Sequence, residues 1–144
     1  MGGRTLDGEK FLGTWKLVSA SSTTSKGERN DTPYGANPAG VLSYSPDGRV
    51  TALISYGGRK TLSVGAPPEA QAEAFRTFLA YAGRYTFSGG KVTHHIEISS
   101  IQSYVSKELV RSIELEGDRL KLVTPPTLVN GKIQTVELIW QLLK

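Results

Sequence analysis

A chain of 144 residues with 38% hydrophobic and 21% charged residues is long enough to bury one sizeable core, and it reads as one domain over residues 1–144. It contains no cysteine, which excludes disulfides, thiolate metal ligands and a nucleophilic thiol. The net charge of +4 arises from 17 basic and 13 acidic residues mixed along the chain without a Lys/Arg run, so nucleic acid is not an expected partner.

The opening MGGRTLDGEK has no apolar core of a signal peptide, and Leu6 stands where a myristoylation signal needs Ser or Thr. No stretch reaches membrane-spanning length, so membrane insertion is not expected and a cytoplasmic location is the default. From there, alternation of apolar and polar residues predicts eight strands. They run approximately from Leu12 to Ala20, Gly40 to Ser45, Arg49 to Tyr56, Ala82 to Phe87, Val92 to Ser99, Leu109 to Leu115, Leu120 to Thr124, and Ile133 to Leu142. The Ser- and Thr-rich segment from Ser21 to Ala39 has no such alternation and reads as a long entrance loop. After Ala66-Pro67-Pro68, the spacing predicts one helix over about 69–81, with Gln71, Ala74, Phe75, Phe78 and Leu79 along a stripe. That helix reads as a plug or flank of the sheet, with a lid as the alternative.

Eight short strands and one helix cannot cover both faces of an open sheet. Closure into an all-β antiparallel barrel of eight to ten strands removes the edges and buries one face of every strand. Three tight turns set the register: Pro46-Asp47-Gly48, Gly89-Gly90 and Gly117-Asp118. Across them Tyr44 opposes Val50, Leu42 opposes Ala52, Phe87 opposes Val92, Tyr85 opposes His94, Leu115 opposes Leu120, Ile113 opposes Leu122 and Arg111 opposes Thr124. The inner wall continues through Ile54, Ile96, Val136, Leu138, Trp140 and Leu142.

This wall is apolar apart from Tyr44, Tyr85, His94, Arg111 and Thr124. An apolar cavity with a few placed polar groups is the usual form of a ligand site, although a satisfied internal network looks the same in sequence. His94, Arg111 and Tyr85 are the candidate catalytic residues. Tyr44, Leu42, Ala52, Ile54, Phe87, Ile96, Ile113, Leu122, Thr124, Leu138 and Trp140 are the candidate ligand-binding residues. His94 and His95 cannot share a metal, because successive side chains on a strand point to opposite faces. His95 and Glu97 read as solvent-facing, near Arg84. No phosphate loop, dinucleotide fingerprint or nucleophile elbow occurs, so no cofactor is expected.

Gly13-Thr14-Trp15 at the head of the first strand resembles the lipocalin GxW signature. The succession YGANPAGVLSYSPDGRV, YAGRYTF, KVTHHIEIS and LVRSIELEGDRLKLVTPP resembles the lipocalin-like domain family of small bacterial and fungal proteins, from about Leu12 to Trp140. The resemblance implies a lipocalin-like barrel and places His94 and Arg111 at the family's characteristic His and Arg positions. Related barrels include ligand carriers and cofactor-free cyclases or isomerases of natural-product pathways. The absence of cysteine and of a visible signal peptide departs from secreted lipocalins.

Two functions follow as expectations. The first is a cofactor-independent cyclase or isomerase acting on a polyketide- or terpenoid-like intermediate, with His94 as acid or base and Tyr85 or Arg111 polarising an oxygen. The second is a non-catalytic carrier of an apolar small molecule. A barrel with a filled interior and no ligand is a third reading, and either a monomer or a homodimer fits the sequence.

Overall fold

The computed structural model describes residues 8–129 and 131–144, and the segment holding Leu6 lies outside them. Among the described residues the chain forms β1 (Gly13–Thr24), β2 (Arg29–Asn30), β3 (Ala39–Tyr44), β4 (Arg49–Ser55), α1 (Pro68–Arg76), β5 (Phe78–Ser88), β6 (Lys91–Ser99), β7 (Glu108–Glu116), β8 (Arg119–Val123), β9 (Thr127–Val129) and β10 (Lys132–Leu142). Strands β1, β3, β4, β5, β6, β7, β8 and β10 pair antiparallel in that order, and β10 pairs back onto β1. Closure gives an eight-stranded barrel without open edges, to which β2 adds beside β1 and β9 beside β10.

The three hairpins impose the expected register. Tyr44 pairs with Val50 and Leu42 with Ala52; Phe87 pairs with Val92 and Tyr85 with His94; Leu115 pairs with Leu120 and Ile113 with Leu122. Gly89 and Gly90 take φ of 58° and 76°, the double positive turn that matches the twist of the flanking strands. The alternating inner residues then form one core running through Trp15, Leu42, Val50, Ile54, Val92, Leu120 and Trp140. Burying each aliphatic side chain contributes roughly 1.5–3 kcal/mol, which is how a chain without disulfides holds its barrel. At the lower end the Trp15 Nε1–H donates to the Phe11 carbonyl at 3.0 Å, and Phe11 stacks on Phe87 with ring centres 4.7 Å apart.

Two elements differ from the sequence expectation. The helix ends at Arg76 instead of continuing to Tyr81, and none of its residues is buried, so it does not plug the barrel. Residues 78–81 instead open β5, because β4 offers ladder partners from Ser55↔Phe78 through Arg49↔Arg84 that a longer helix would leave unpaired. Thr77 closes the helix, its Oγ donating to the Glu73 carbonyl at 2.8 Å. The second difference lies in the segment from Ser21 to Ala39. Strand β1 runs on to Thr24 against β10, Ser21 and Ser22 are buried, and β2 pairs with Ser22 and Thr23. Further on, Gly57 donates its N–H to the Tyr34 carbonyl at 2.9 Å, and a Cβ at Gly57 would lie 1.6 Å from the Ala36 carbonyl oxygen. That close approach ties the segment to the chain just after β4, where Tyr34 and Tyr56 pack against the core.

Candidate functional site

The inner wall is bent where β5 meets β6. Ala82 pairs with Ile98 but Gly83 pairs with Ile96, so β6 carries an extra residue at this point. A Cβ at Gly83 would stand 1.8 Å from the His95 carbonyl oxygen, which only glycine permits. The bend leaves Ile98 exposed on the outside and keeps His94 and Ile96 inside.

His94 is 1% exposed. Its Nε2 lies 2.7 Å from the Tyr44 hydroxyl and its Nδ1 lies 2.6 Å from the Tyr81 hydroxyl. Tyr44 reaches across from the end of β3, its ring packed against Tyr85, Phe87 and His94. Tyr81 comes from the early part of β5. Burial, reinforced by the Arg111 charge, holds the His94 pKa down at about 3, so the ring is neutral at physiological pH. A neutral imidazole donates through one nitrogen and accepts through the other. One tyrosine therefore gives its proton to the ring, and the other accepts the ring N–H and keeps its own O–H for a further acceptor. Burial also raises Tyr81 to about 12 and Tyr44 well above its ordinary value, so both phenols stay protonated.

Tyr85 shares the inner face of β5, but its hydroxyl donates to the Ser45 carbonyl at 2.7 Å and does not join His94. Its ring instead packs edge-on against Tyr44. Tyr81, which the sequence analysis did not single out, is the β5 tyrosine that meets His94. Thr124 accepts the Val136 N–H through its Oγ at 2.9 Å, which extends the β8–β10 ladder. Arg111 lies on the inner face of β7 between Leu109 and Ile113, paired with Val92 on β6. Its Nη1 donates to the Val110 carbonyl at 3.0 Å, and among the described residues no carboxylate forms an ion pair with it.

The remaining candidates line the core as expected from their alternation. Leu42, Ala52, Ile54, Ile96, Ile113, Leu122, Leu138 and Trp140 are all buried, and Phe87 is half-buried at the lower end. Trp140 carries a further feature: its Nε1–H is buried and has no hydrogen-bond partner among the described residues. Phe87 and Ile113 also border an open groove of about 710 Å³ beneath the hairpins, together with Lys10, Phe11 and Leu115. Above His94, burial raises Tyr34 to about 12, and its ring meets Tyr56 edge-on with centres 5.0 Å apart.

On the outer face, Glu97 accepts from Arg49 at 2.8 Å and from Arg84 at 3.3 Å, while His95 Nδ1 lies 3.1 Å from Glu108. This is the solvent-facing arrangement expected of His95 and Glu97. Among the described residues no group of three or more His, Asp or Glu side chains is placed to hold a metal, and no helix is long and apolar enough to cross a membrane.

The profile of the lipocalin-like domain family matches residues 12–142 of the chain. The 4'-hydroxy-3'-methoxypropiophenone carrier protein ppsC of Aspergillus oryzae (strain ATCC 42149 / RIB 40) is 33% identical over 84 residues, which cover 52% of this chain and 76% of that protein. No solved structure matches the chain at a significant level. With a closed eight-stranded barrel and a family match over nearly its whole length, the chain belongs to the lipocalin-like domain family.

Proposed function

We propose that this protein binds an apolar, oxygen-bearing small molecule inside its barrel and carries it without chemical change. The observation that carries the reading is the Trp140 indole N–H, buried in the inner wall without an acceptor among the described residues. Such a group costs about 1–3 kcal/mol unless something accepts its hydrogen bond, and a ligand oxygen supplies that acceptor. The spare hydroxyl proton of the Tyr44–His94–Tyr81 relay offers a second donor. The relative named as a carrier of an aromatic ketone supports the same class of ligand.

A cofactor-free cyclisation or isomerisation in the same interior is the second reading, favoured by the Arg111 charge on the inner wall. It would require a tyrosine hydroxyl, not His94, to meet the substrate, since both ring nitrogens are already engaged. Calorimetric titration with 4'-hydroxy-3'-methoxypropiophenone, followed by chromatography of the recovered compound, separates the two. The carrier reading expects saturable binding at one site and unchanged ligand. A transformed product would favour catalysis, and no saturable binding would remove support from both.

A further inference from the structure

We infer that Arg111 selects ligands bearing an ionised oxygen, a carboxylate or an acidic phenol, over neutral ligands of the same shape. The inference rests on the binding reading and adds to it the charge of the ligand. Along the inner faces of the eight barrel strands, Arg111 is the one charged side chain among the described residues; the positions around it are apolar or carry Tyr, Ser, Thr or His. Its guanidinium has five N–H donors, and the Val110 carbonyl accepts from one of them.

The groups that share its surroundings cannot neutralise it. The charge of Arg111 acts on Tyr34, Tyr44, Tyr81 and His94, which face it from the segment after β2 and from β3, β5 and β6. All three phenols are held protonated by burial and the imidazole is held neutral, so none supplies a negative charge at neutral pH. The carboxylates of the barrel strands point outward: Glu97 is taken by Arg49 and Arg84, Glu108 by His95, and Glu114 and Glu137 by Lys121, while Glu116 is exposed at the end of β7. A half-buried cation with neutral neighbours attracts an anion more strongly than an exposed one does, because the local dielectric is lower. A carboxylate also matches the guanidinium fork with two parallel hydrogen bonds, and a phenolate oxygen accepts a charge-assisted one. The counter-charge therefore comes with the ligand.

Three probes on one aromatic skeleton test this: 2-naphthoate, the neutral ketone 2-acetylnaphthalene, and 6-acetyl-2-naphthol, whose phenol is acidified by the conjugated carbonyl. Each is titrated calorimetrically at neutral pH into the full chain and its Arg111→Met and Arg111→Lys variants, with circular dichroism to verify that the variants fold. Arg111→Met is expected to weaken 2-naphthoate about tenfold or more and 2-acetylnaphthalene less than about twofold, and Arg111→Lys is expected to recover part of the loss. If acidic phenols are also ligands, bound 6-acetyl-2-naphthol shows the red-shifted absorption of its phenolate with the native chain and not with Arg111→Met. If the spectrum stays that of the phenol, carboxylates alone are the class. Equal losses for the charged and neutral probes, or no loss for 2-naphthoate, would overturn the inference while leaving binding intact. Failure of every probe to bind the native chain would remove the binding reading and this inference together.

Discussion

The Tyr44 hydroxyl lies 2.7 Å from Nε2 of His94, fifty residues away in sequence, and Tyr81 closes the other side of the ring at 2.6 Å. Both imidazole nitrogens are thus satisfied in an interior where an unpaired one would be costly. Tyr44→Phe and Tyr81→Phe are each expected to destabilise the protein by about 1–3 kcal/mol in urea unfolding, since each leaves one buried ring nitrogen without a partner. The two share a ring, so the double variant should depart from the sum of the single ones. Additive effects below about 0.5 kcal/mol would mean that the relay does not hold the interior together.

The same ring makes stability depend on pH. His94 has a folded pKa of about 3 against an ordinary 6.5, so below the ordinary value the unfolded chain takes up a proton that the folded chain refuses. The stabilisation is complete above pH 6.5 and is lost as pH falls toward about 3, at about 1.4 kcal/mol per pH unit. Urea midpoints measured between pH 7 and 5, above most carboxylate titration, should fall for the native protein and stay flatter for His94→Gln. Parallel curves for the two proteins would contradict the burial of a neutral imidazole.

The two tryptophans should part company on substitution. Trp15 donates to the Phe11 carbonyl, so Trp15→Phe removes a made hydrogen bond as well as packing volume. The Trp140 N–H makes none among the described residues, so Trp140→Phe is expected to cost less in thermal stability and more in ligand affinity. Thermal melts and calorimetry on both variants check this, and the opposite ranking would count against a ligand acceptor at Trp140.

Gly83→Ala should be among the most damaging single changes available. The added methyl would meet the His95 carbonyl oxygen at 1.8 Å, and the bulge that turns Ile98 outward could not form as it stands. A loss of roughly 3 kcal/mol or more, or failure to accumulate as folded protein, is expected in a thermal melt. A native-like melting temperature would show that β5 does not need the close approach.

Much of the barrel was legible because strand alternation and hairpin turns are local. Gly89-Gly90 and Gly117-Asp118 set their registers by themselves, and with them the inward direction of His94 and Arg111. Tyr81 was not legible as a partner of His94, because the residues before it also carry a helical stripe. The competition was decided by the distant β4 edge, which paired with residues 78–84. The signal that would have found it is the inward phase of Tyr85 continued back through Gly83 to Tyr81 and Leu79. The upper part of β1 was hidden for a different reason: Ser21, Ser22, Thr23 and Thr24 show no apolar alternation, and their strand pairing comes from β10, with β2 added beside Ser22 and Thr23. The bulge at Gly83 has no sequence mark beyond the glycine itself.

Binding inside the barrel is tested most directly by the indole N–H resonances of Trp140 and Trp15 in a nitrogen-15-labelled sample titrated with 4'-hydroxy-3'-methoxypropiophenone. The account predicts that the Trp140 signal shifts and saturates at one ligand per chain, while Trp15, already bonded to Phe11, moves little. An unmoved Trp140 signal, with shifts confined to the outer groove around Lys10, Phe11 and Phe87, would contradict it.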